Sequence, residues 1–436
     1  DGRAERLAAD PVIADGRFLL VEIGFLPDRI PSAIAAEIDV AIVGGGMAGA
    51  GLALLLAKKI PELTIVLIEQ HPLQVVTAEQ LAIPSFDARS TALSCSTQKI
   101  LESLSVWSQL KSHAEPILQV HVSERTRPLG LLMRAEDTEV PALGYVIENR
   151  WLGNILLKAL LSQQERIRTL SPAHVEKITM SASGAMLAIK ADQDLLLNAK
   201  LVVVADGAQS TLRQQLGIGS DNTPYDQHAL VANVVTELPH DGVAYERFTE
   251  TGPVALLPLP DEKKKRAALI WTLPDNEINE VMHLPDEEFL LRVQQHIGGR
   301  CGKLLAVGAR YCYPLSLVQA REQVRSRVVL MGSAAHHLHP VAGQGFNLIM
   351  RDCLALVETL KSVVVNGGDV GDLSALQQYL GKQQWDQQKT VVASDWLPRL
   401  FSNRDRPQIL LRSAALMGLD FLPGLREWFA REATGL

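Results

Sequence analysis

The feature that most constrains the fold is a glycine-rich segment that lies between two short, apolar, β-branched runs. Residues 38–43 read IDVAIV, which is typical of a buried parallel strand, and glycines follow this run directly. Residues 47–59 combine small side chains with leucine and predict a helix that stops before Pro61. Residues 63–69 read LTIVLIE and predict a second buried strand. This order of strand, helix and strand predicts a βαβ unit and therefore a parallel sheet.

The glycines of this segment have the spacing G-x-G-x-x-G, formed by Gly44, Gly46 and Gly49. In dinucleotide-binding folds the first glycine permits a tight turn, and the second lets a pyrophosphate approach the backbone. The third glycine allows close packing of helix against sheet, and the helix N-terminus adds partial positive charge. Glu69 ends the next strand, 20 residues after Gly49, where it would accept hydrogen bonds from the adenosine ribose. The motif predicts a dinucleotide site and leaves FAD and NAD as alternatives.

Composition excludes several other classes of protein. The chain has 436 residues, 47% of them hydrophobic and 21% charged, which is typical of a globular protein with two or three structural units. The net charge of −7 argues against a nucleic-acid partner. The four cysteines form no C-x-x-C pair, so reduced thiols in the cytoplasm are expected. We see no signal peptide or apolar membrane span, and residues 1–37 are interpreted as an extension of unknown role.

The rest of the chain alternates between two kinds of pattern. Residues 201–205 and 328–331 are short apolar strands that lead to glycines, as in a dinucleotide-binding sheet. Alternating segments typical of antiparallel sheet lie between the strands of that kind, at residues 118–123, 185–189, 230–235, 254–258 and 267–273. Helical patterns cover residues 100–110, residues 152–162 and nearly everything after Arg351. The simplest interpretation is a chain that passes twice between two domains.

Two later motifs decide between the dinucleotides. Residues 201–213 contain D-G-x-x-S-x-x-R, formed by Asp206, Gly207, Ser210 and Arg213. Residues 328–352 read VVLMGSAAHHLHPVAGQGFNLIMRD, which resembles the second flavin-binding segment of aromatic-ring hydroxylases. With the N-terminal glycine motif, the chain resembles the group A FAD-dependent monooxygenases of the p-hydroxybenzoate-hydroxylase fold. The segments FDARSTAL, AYERF, GPVALLP and YPL further resemble the ubiquinone-biosynthesis branch, of the 2-polyprenyl-6-methoxyphenol hydroxylase (UbiH) type.

This resemblance implies an α/β fold in which a Rossmann-like FAD-binding domain is interleaved with a mostly antiparallel substrate domain. The predicted FAD-binding parts are residues 38–117, 151–222 and 321–394, and the substrate parts are residues 118–150 and 223–320. Residues 395–436 are predicted to be helical. They mix apolar anchors with arginines, so they would either cap the protein or rest on a membrane. The expected location is the cytoplasm, with peripheral contact at the inner membrane left open.

The resemblance also implies roles for single residues. Glu69 would hold the adenosine ribose, and Arg89 would reach the flavin phosphates or the ribityl chain. Asp206 and Gly207 would contact FAD and bear on docking of NAD(P)H. The loop beside the isoalloxazine ring would comprise Gly332, Ser333, Pro340, Gly343, Gln344, Gly345 and Asn347. Ser333 stands where related enzymes have an acid that bonds the ribityl chain, and this departure is itself typical of the UbiH branch.

By resemblance, the flavin carries the chemistry and no catalytic side chain or metal is required. Reduced FAD would form a C4a-hydroperoxide with O₂, and a phenol ring would attack its distal oxygen. Pro340, Gly343 and Gln344 would line the space for oxygen and the ring, while the sequence singles out no base for the phenolic proton. His336, His337 and His339 fall inside the flavin segment, so we do not interpret them as metal ligands.

The expected partners are a polyprenylated phenol, O₂, NAD(P)H and other ubiquinone-biosynthesis proteins. Two alternatives to the leading function stay open. One is a sibling hydroxylase that acts at another ring position in the same pathway. The other is a flavin-binding structural subunit of a quinone-synthesis assembly.

Overall fold

The computed structural model describes residues 37–75, 89–124, 130–338 and 344–402. Pro340, Gly343, His339, the first three residues of the FDARSTAL segment and the predicted helices beyond residue 402 therefore lie outside the described residues. The described strands are β1 (Glu37–Val43), β2 (Ile65–Ile68), β3 (Ser90–Leu93), β4 (Ala114–Ile117), β5 (Gln119–Glu124), β6 (Gly130–Arg134), β7 (Gly144–Glu148), β8 (Ile167–Leu170), β9 (His174–Met180), β10 (Ala185–Lys190), β11 (Leu195–Val204), β12 (Ser220–Thr236), β13 (Val243–Thr249), β14 (Gly252–Pro258), β15 (Arg266–Pro274), β16 (Leu304–Val307), β17 (Tyr311–Ala320), β18 (Val324–Arg325), β19 (Val328–Leu330) and β20 (His336–His337). The described helices are α1 (Met47–Lys59), α2 (Cys95–Ser103), α3 (Trp107–Leu110), α4 (Asn149–Leu161), α5 (Thr211–Gln215), α6 (Asp275–His283), α7 (Asp286–Ile297), α8 (Gln344–Val365) and α9 (Leu373–Ser402).

The first sheet contains the predicted dinucleotide-binding strands. Its parallel core has the order β19-β11-β1-β2-β8, to which β18 and the β9–β10 hairpin add antiparallel neighbours. Both faces are buried, as parallel strands require. Val40 and Ile42 pack on one side with residues of α1 and α8, whereas Ala41 and Val43 pack on the other. The predicted βαβ unit is confirmed.

The second sheet is large and mostly antiparallel, with the order β20-β17-β12-β15-β14-β13-β5-β6 and with β16 beside β12. One of its faces is covered by α6 and α7, where Trp271 packs against Phe289. The other face packs in part against a three-stranded sheet with the order β3-β7-β4. The loop that contains the charged run of residues 261–266 joins β14 to β15 in an antiparallel hairpin.

Two long helices complete the described fold. Helix α8 packs against α1. Helix α9 packs against α8 and also contacts β13 and β14. The predicted helix at residues 100–110 is interrupted, because Ser105 has a positive φ of 62° between α2 and α3. The boundaries that we assigned to the interleaved domains stay predictions.

Candidate active site

The glycine turn after β1 has two positions that admit no side chain. Gly44 has a φ of +110°, and a Cβ atom there would lie 2.3 Å from the carbonyl oxygen of Ala205. A Cβ atom on Gly49 would lie 1.9 Å from the carbonyl oxygen of Gly44. Gly46 differs, because a Cβ atom there would meet nothing within 4 Å, and it is the N-cap of α1. Open space therefore lies beside the backbone at a helix N-terminus, where an anionic phosphate is favoured.

Glu69 follows β2 at the same edge of the sheet. One carboxylate oxygen accepts a hydrogen bond from the Gly45 amide at 2.5 Å, and the other accepts from the His71 amide at 2.9 Å. These bonds hold the carboxylate next to the glycine turn. Each oxygen retains acceptor capacity for a ribose hydroxyl.

Asp206 follows β11 at this edge and contains an unused acceptor. Its Oδ1 atom is buried and has no hydrogen-bond partner among the described residues. Burial raises the pKa of the carboxyl, and a hydrogen bond with Ser210 opposes the shift. Beside it, Gly207 has a φ of +99° and open space at its Cβ position. A buried acceptor next to open space fits a ligand with hydroxyl donors.

Arg213, the last residue of the D-G-x-x-S-x-x-R motif, joins this motif to the flavin segment. Ser210 caps α5 by accepting a hydrogen bond from the Arg213 amide at 3.0 Å. The buried guanidinium donates to the carbonyl oxygen of Ala334 at 2.8 Å and to that of Ala208 at 3.2 Å. Two motifs more than 120 residues apart thus lie side by side, since the Arg213–Ala334 bond spans 121 positions.

The flavin segment begins close to α1. Gly332 has a φ of +63°, and a Cβ atom there would lie 3.1 Å from the Cβ atom of Ala48. Ser333 lies in the 3₁₀ turn that follows. Gln344 is the first residue of α8, although its side chain is not among those described, and Gly345 has open space at its Cβ position.

Asn347 has a role that the sequence did not reveal. Its side-chain oxygen accepts a hydrogen bond from the Ser94 amide at 2.9 Å, and its side-chain nitrogen donates to the carbonyl oxygen of Ala92 at 2.8 Å. The residue is buried. Both atoms of the amide therefore bind backbone between β3 and α2, which fixes the first turn of α8 to the three-stranded sheet.

Arg89 directly precedes β3 and contacts the large sheet. Its guanidinium carbon is 4.6 Å from the centre of the Tyr313 ring on β17, within range for a cation–π interaction. The carbonyl oxygen of Arg89 accepts a hydrogen bond from the Asn149 amide at 2.8 Å. Burial, together with the charge of Arg89, lowers the pKa of His337. Arg89 thus places positive charge near His337, in the middle of the flavin segment.

A chain of buried polar groups adjoins the flavin segment, and no sequence motif indicated it. His336 and Gln323 are 3.3 Å apart through Nε2 and Oε1, and Gln323 donates to the Tyr379 hydroxyl at 3.1 Å. Gln387 donates to the Asp352 carboxyl at 3.0 Å. Burial lowers the pKa of His336, whereas it raises that of Asp352 to about 7. No metal-binding cluster occurs among the residues that the structure describes.

The residues present fit an FAD molecule. Glu69 and the N-terminus of α1 would hold its adenosine and phosphate groups, and Asp206 and Arg89 would hold its central part. When bound, FAD supplies the redox and oxygen chemistry. The whole of residues 37–382 also matches the family model described as FAD binding domain.

The chain belongs to this FAD-binding family. It is 33% identical to the ubiquinone hydroxylase UbiL of Rhodospirillum rubrum, over 91% of this chain and 89% of that protein. It is 30% identical to the 3-demethoxyubiquinol 3-hydroxylase of Escherichia coli, over 91% of this chain and 98% of that protein.

Solved structures share the fold of this FAD-binding family member at lower identity. PqsL from Pseudomonas aeruginosa, in complex with 2-aminobenzoylacetate, has a TM-score of 0.71 and 21% identity over 86% of this chain and 100% of that chain. The p-nitrophenol 4-monooxygenase PnpA from Pseudomonas putida has a TM-score of 0.69 and 19% identity over 91% of this chain and 98% of that chain. These solved structures confirm the expected α/β fold. The family model and the ubiquinone hydroxylase relatives confirm the expected enzyme class, an FAD-dependent aromatic monooxygenase.

Proposed function

We propose that the protein hydroxylates the ring of a polyprenylated phenol in ubiquinone biosynthesis, with O₂ and NAD(P)H as co-substrates. The observation that carries the proposal is the 33% identity with UbiL, a ubiquinone hydroxylase, over 91% of the chain. The glycine turn, Glu69, Asp206 and Arg89 support it, because they surround a site that suits FAD.

In this proposal the residues of the cofactor site bind and position FAD. Glu69 accepts hydrogen bonds from the ribose hydroxyls, and the α1 N-terminus faces the phosphates. Asp206 accepts a hydrogen bond from the central chain of the cofactor. Gly332, Ser333, Gln344 and Gly345 lie beside the ring, where backbone amides stabilise the negative charge that reduction brings.

The position of the new hydroxyl group is the finer part of the proposal. We favour a 2-polyprenyl-6-methoxyphenol as the substrate. A sibling hydroxylase with another ring position is the second candidate, and the 30% identity with the 3-demethoxyubiquinol 3-hydroxylase of Escherichia coli supports it.

The test uses FAD-loaded protein, NADPH or NADH, ¹⁸O₂ and a short-chain 2-prenyl-6-methoxyphenol. We expect a phenol-dependent product that carries one ¹⁸O atom, detected by mass spectrometry, with its position assigned by NMR. A product at another ring carbon would support the sibling hydroxylase. Bound flavin with no oxygen incorporation would contradict the proposal and support a structural subunit.

Association with a membrane also stays a proposal. In the described part of the chain, no helix is both long and apolar enough to cross a membrane. Of the C-terminal segment that we expect to cap the protein or rest on a membrane, the structure describes only the end of α9. Cosedimentation of the protein with anionic vesicles, compared with a variant truncated after residue 402, would test the membrane interpretation.

A further inference from the structure

Glu246 is a carboxylic acid on an otherwise apolar row of the large sheet. It lies on β13 opposite Ala255 of β14, and Ala255 lies opposite Ile270 of β15. Ile270 in turn lies opposite Val231 of β12. Side chains of directly paired residues share a face of a sheet, so these four side chains form one row.

This row does not lie on the face that α6 and α7 cover. The neighbours of Glu246 along β13 and of Ala255 along β14 include Tyr245 and Leu256, and these belong to the cluster with Trp271 under the helices. Because side chains alternate along a strand, Glu246 points to the opposite face. Val231 also belongs to the group that contacts Tyr313, over whose ring Arg89 lies.

Strand β3 connects the same face of the large sheet to the start of α8. Ala244, two residues before Glu246 and on its face, belongs to a cluster against which Ala92 of β3 packs. The carbonyl group of Ala92 binds the side chain of Asn347 in the first turn of α8. Glu246 therefore lies on the face of the large sheet that is turned toward the elements expected to hold the flavin ring.

The surroundings of the Glu246 carboxyl are unusual for a charged group. No described residue forms an ion pair or hydrogen bond with it, and it is not exposed on the surface. Burial alone raises its pKa to about 7. On the strands beside it, the charged residue that shares its face is Glu124, opposite Phe248. Helix α9 also packs against β13 and β14, and the charged residues whose side chains the structure describes on it are Lys382, Asp386 and Lys389.

A half-buried carboxyl with no hydrogen-bond partner among the described residues retains acceptor capacity for a ligand. Resting on the function proposed above, we infer that Glu246 accepts the phenolic proton of the substrate. The O–H bond of the phenol breaks, and its electron pair stays on the oxygen and delocalises to the ortho and para carbons of the ring. The proton forms an O–H bond on the Glu246 carboxylate and returns to water when product leaves. The ring thus becomes a better nucleophile without any added oxidant.

The test compares wild-type holoenzyme with Glu246→Gln, which keeps the shape of the side chain but cannot accept the proton. A fluorinated 2-methoxyphenol serves as the probe, because its ¹⁹F chemical shift reports ionisation of the hydroxyl group without turnover. In wild-type protein we expect the bound probe to shift toward the phenolate as the pH rises through about 7. Glu246→Gln should lose this shift, and Glu246→Asp should keep part of it.

Turnover provides the second readout. We expect kcat of wild-type protein to rise with pH through about 7, and that of Glu246→Gln to fall about 100-fold or more and lose this pH dependence. Glu250→Gln is the matched control, because Glu250 is an exposed residue of the same hairpin. Flavin content and melting temperature would show that each variant is folded.

The inference is wrong if Glu246→Gln ionises the bound probe as wild-type protein does, or if wild-type protein does not bind the probe. Incorporation of ¹⁸O is measured separately on the same samples. Normal ¹⁸O incorporation by Glu246→Gln would overturn the inference and leave the proposed function standing. A wild-type protein that ionises the probe through Glu246 but incorporates no ¹⁸O would overturn the proposed hydroxylation instead.

Discussion

At the scale of single residues, the three glycines after β1 have different physical reasons to be glycine. Gly49 has no room for a side chain, whereas Gly46 has open space beside it. The fold itself therefore requires a glycine at position 49. A glycine at position 46 is expected only if a ligand approaches the backbone there. Substitution can separate these two reasons.

We expect Gly49→Ala to destabilise the protein itself, because its methyl group would lie 1.9 Å from the carbonyl oxygen of Gly44. Gly46→Ala should leave the melting temperature of the FAD-free protein nearly unchanged and weaken FAD binding about tenfold or more. Differential scanning fluorimetry and flavin titration measure the two effects. Unchanged FAD affinity in Gly46→Ala would contradict a phosphate site at this turn.

At the scale of secondary-structure elements, Asn347 connects α8 to the segment between β3 and α2. Asn347→Ala would leave the part-buried carbonyl oxygen of Ala92 and the buried amide of Ser94 without these partners, which costs about 1–3 kcal/mol for each group. We expect a loss of about 2–4 kcal/mol in the free energy of unfolding, measured by urea denaturation with FAD in fixed excess. Asn198→Ala on β11, part-exposed at the sheet surface, is the control. If both variants unfold alike, Asn347 does not fix α8 in place.

The sequence predicted elements whose signal is local, and it failed where the reason is a distant contact. The βαβ unit followed from apolar periodicity and glycine spacing, both of which lie within residues 38–69. The roles of Asn347 and Arg213 depend on backbone groups more than 100 positions away, so no local pattern could reveal them. Glu246 lies in a segment that the resemblance marked, but only the strand register shows which face it occupies.

At the scale of the whole molecule, the buried polar chain joins segments that belong to both sheets and to both long helices. His336 lies on β20, an edge strand of the large sheet, and Gln323 precedes β18 of the parallel sheet. Asp352 lies on α8, and its partner Gln387 lies on α9. The protonation of Asp352 is therefore coupled to the stability of the assembled fold rather than to one element.

Because burial raises the pKa of Asp352 to about 7, the folded state binds more protons than the unfolded state, where an Asp has a pKa of about 4. Stability contributed by this group is thus present at low pH and is lost as the pH rises from about 4 through about 7. Asp352→Asn cannot ionise, so its stability relative to wild-type protein should increase by up to about 2.6 kcal/mol between pH 5 and pH 8.

Urea denaturation at the two pH values, with FAD in fixed excess, measures this difference. Asp192→Asn, at an exposed turn, should keep the pH dependence of wild-type protein. Glu246 contributes a slope of the same sign, since burial also raises its pKa to about 7, so Glu246→Gln and the double variant should divide the slope between the two carboxyls. Parallel pH profiles for wild-type protein and Asp352→Asn would mean that Asp352 is ionised in the folded protein, and that the polar chain stabilises its charge instead of excluding it.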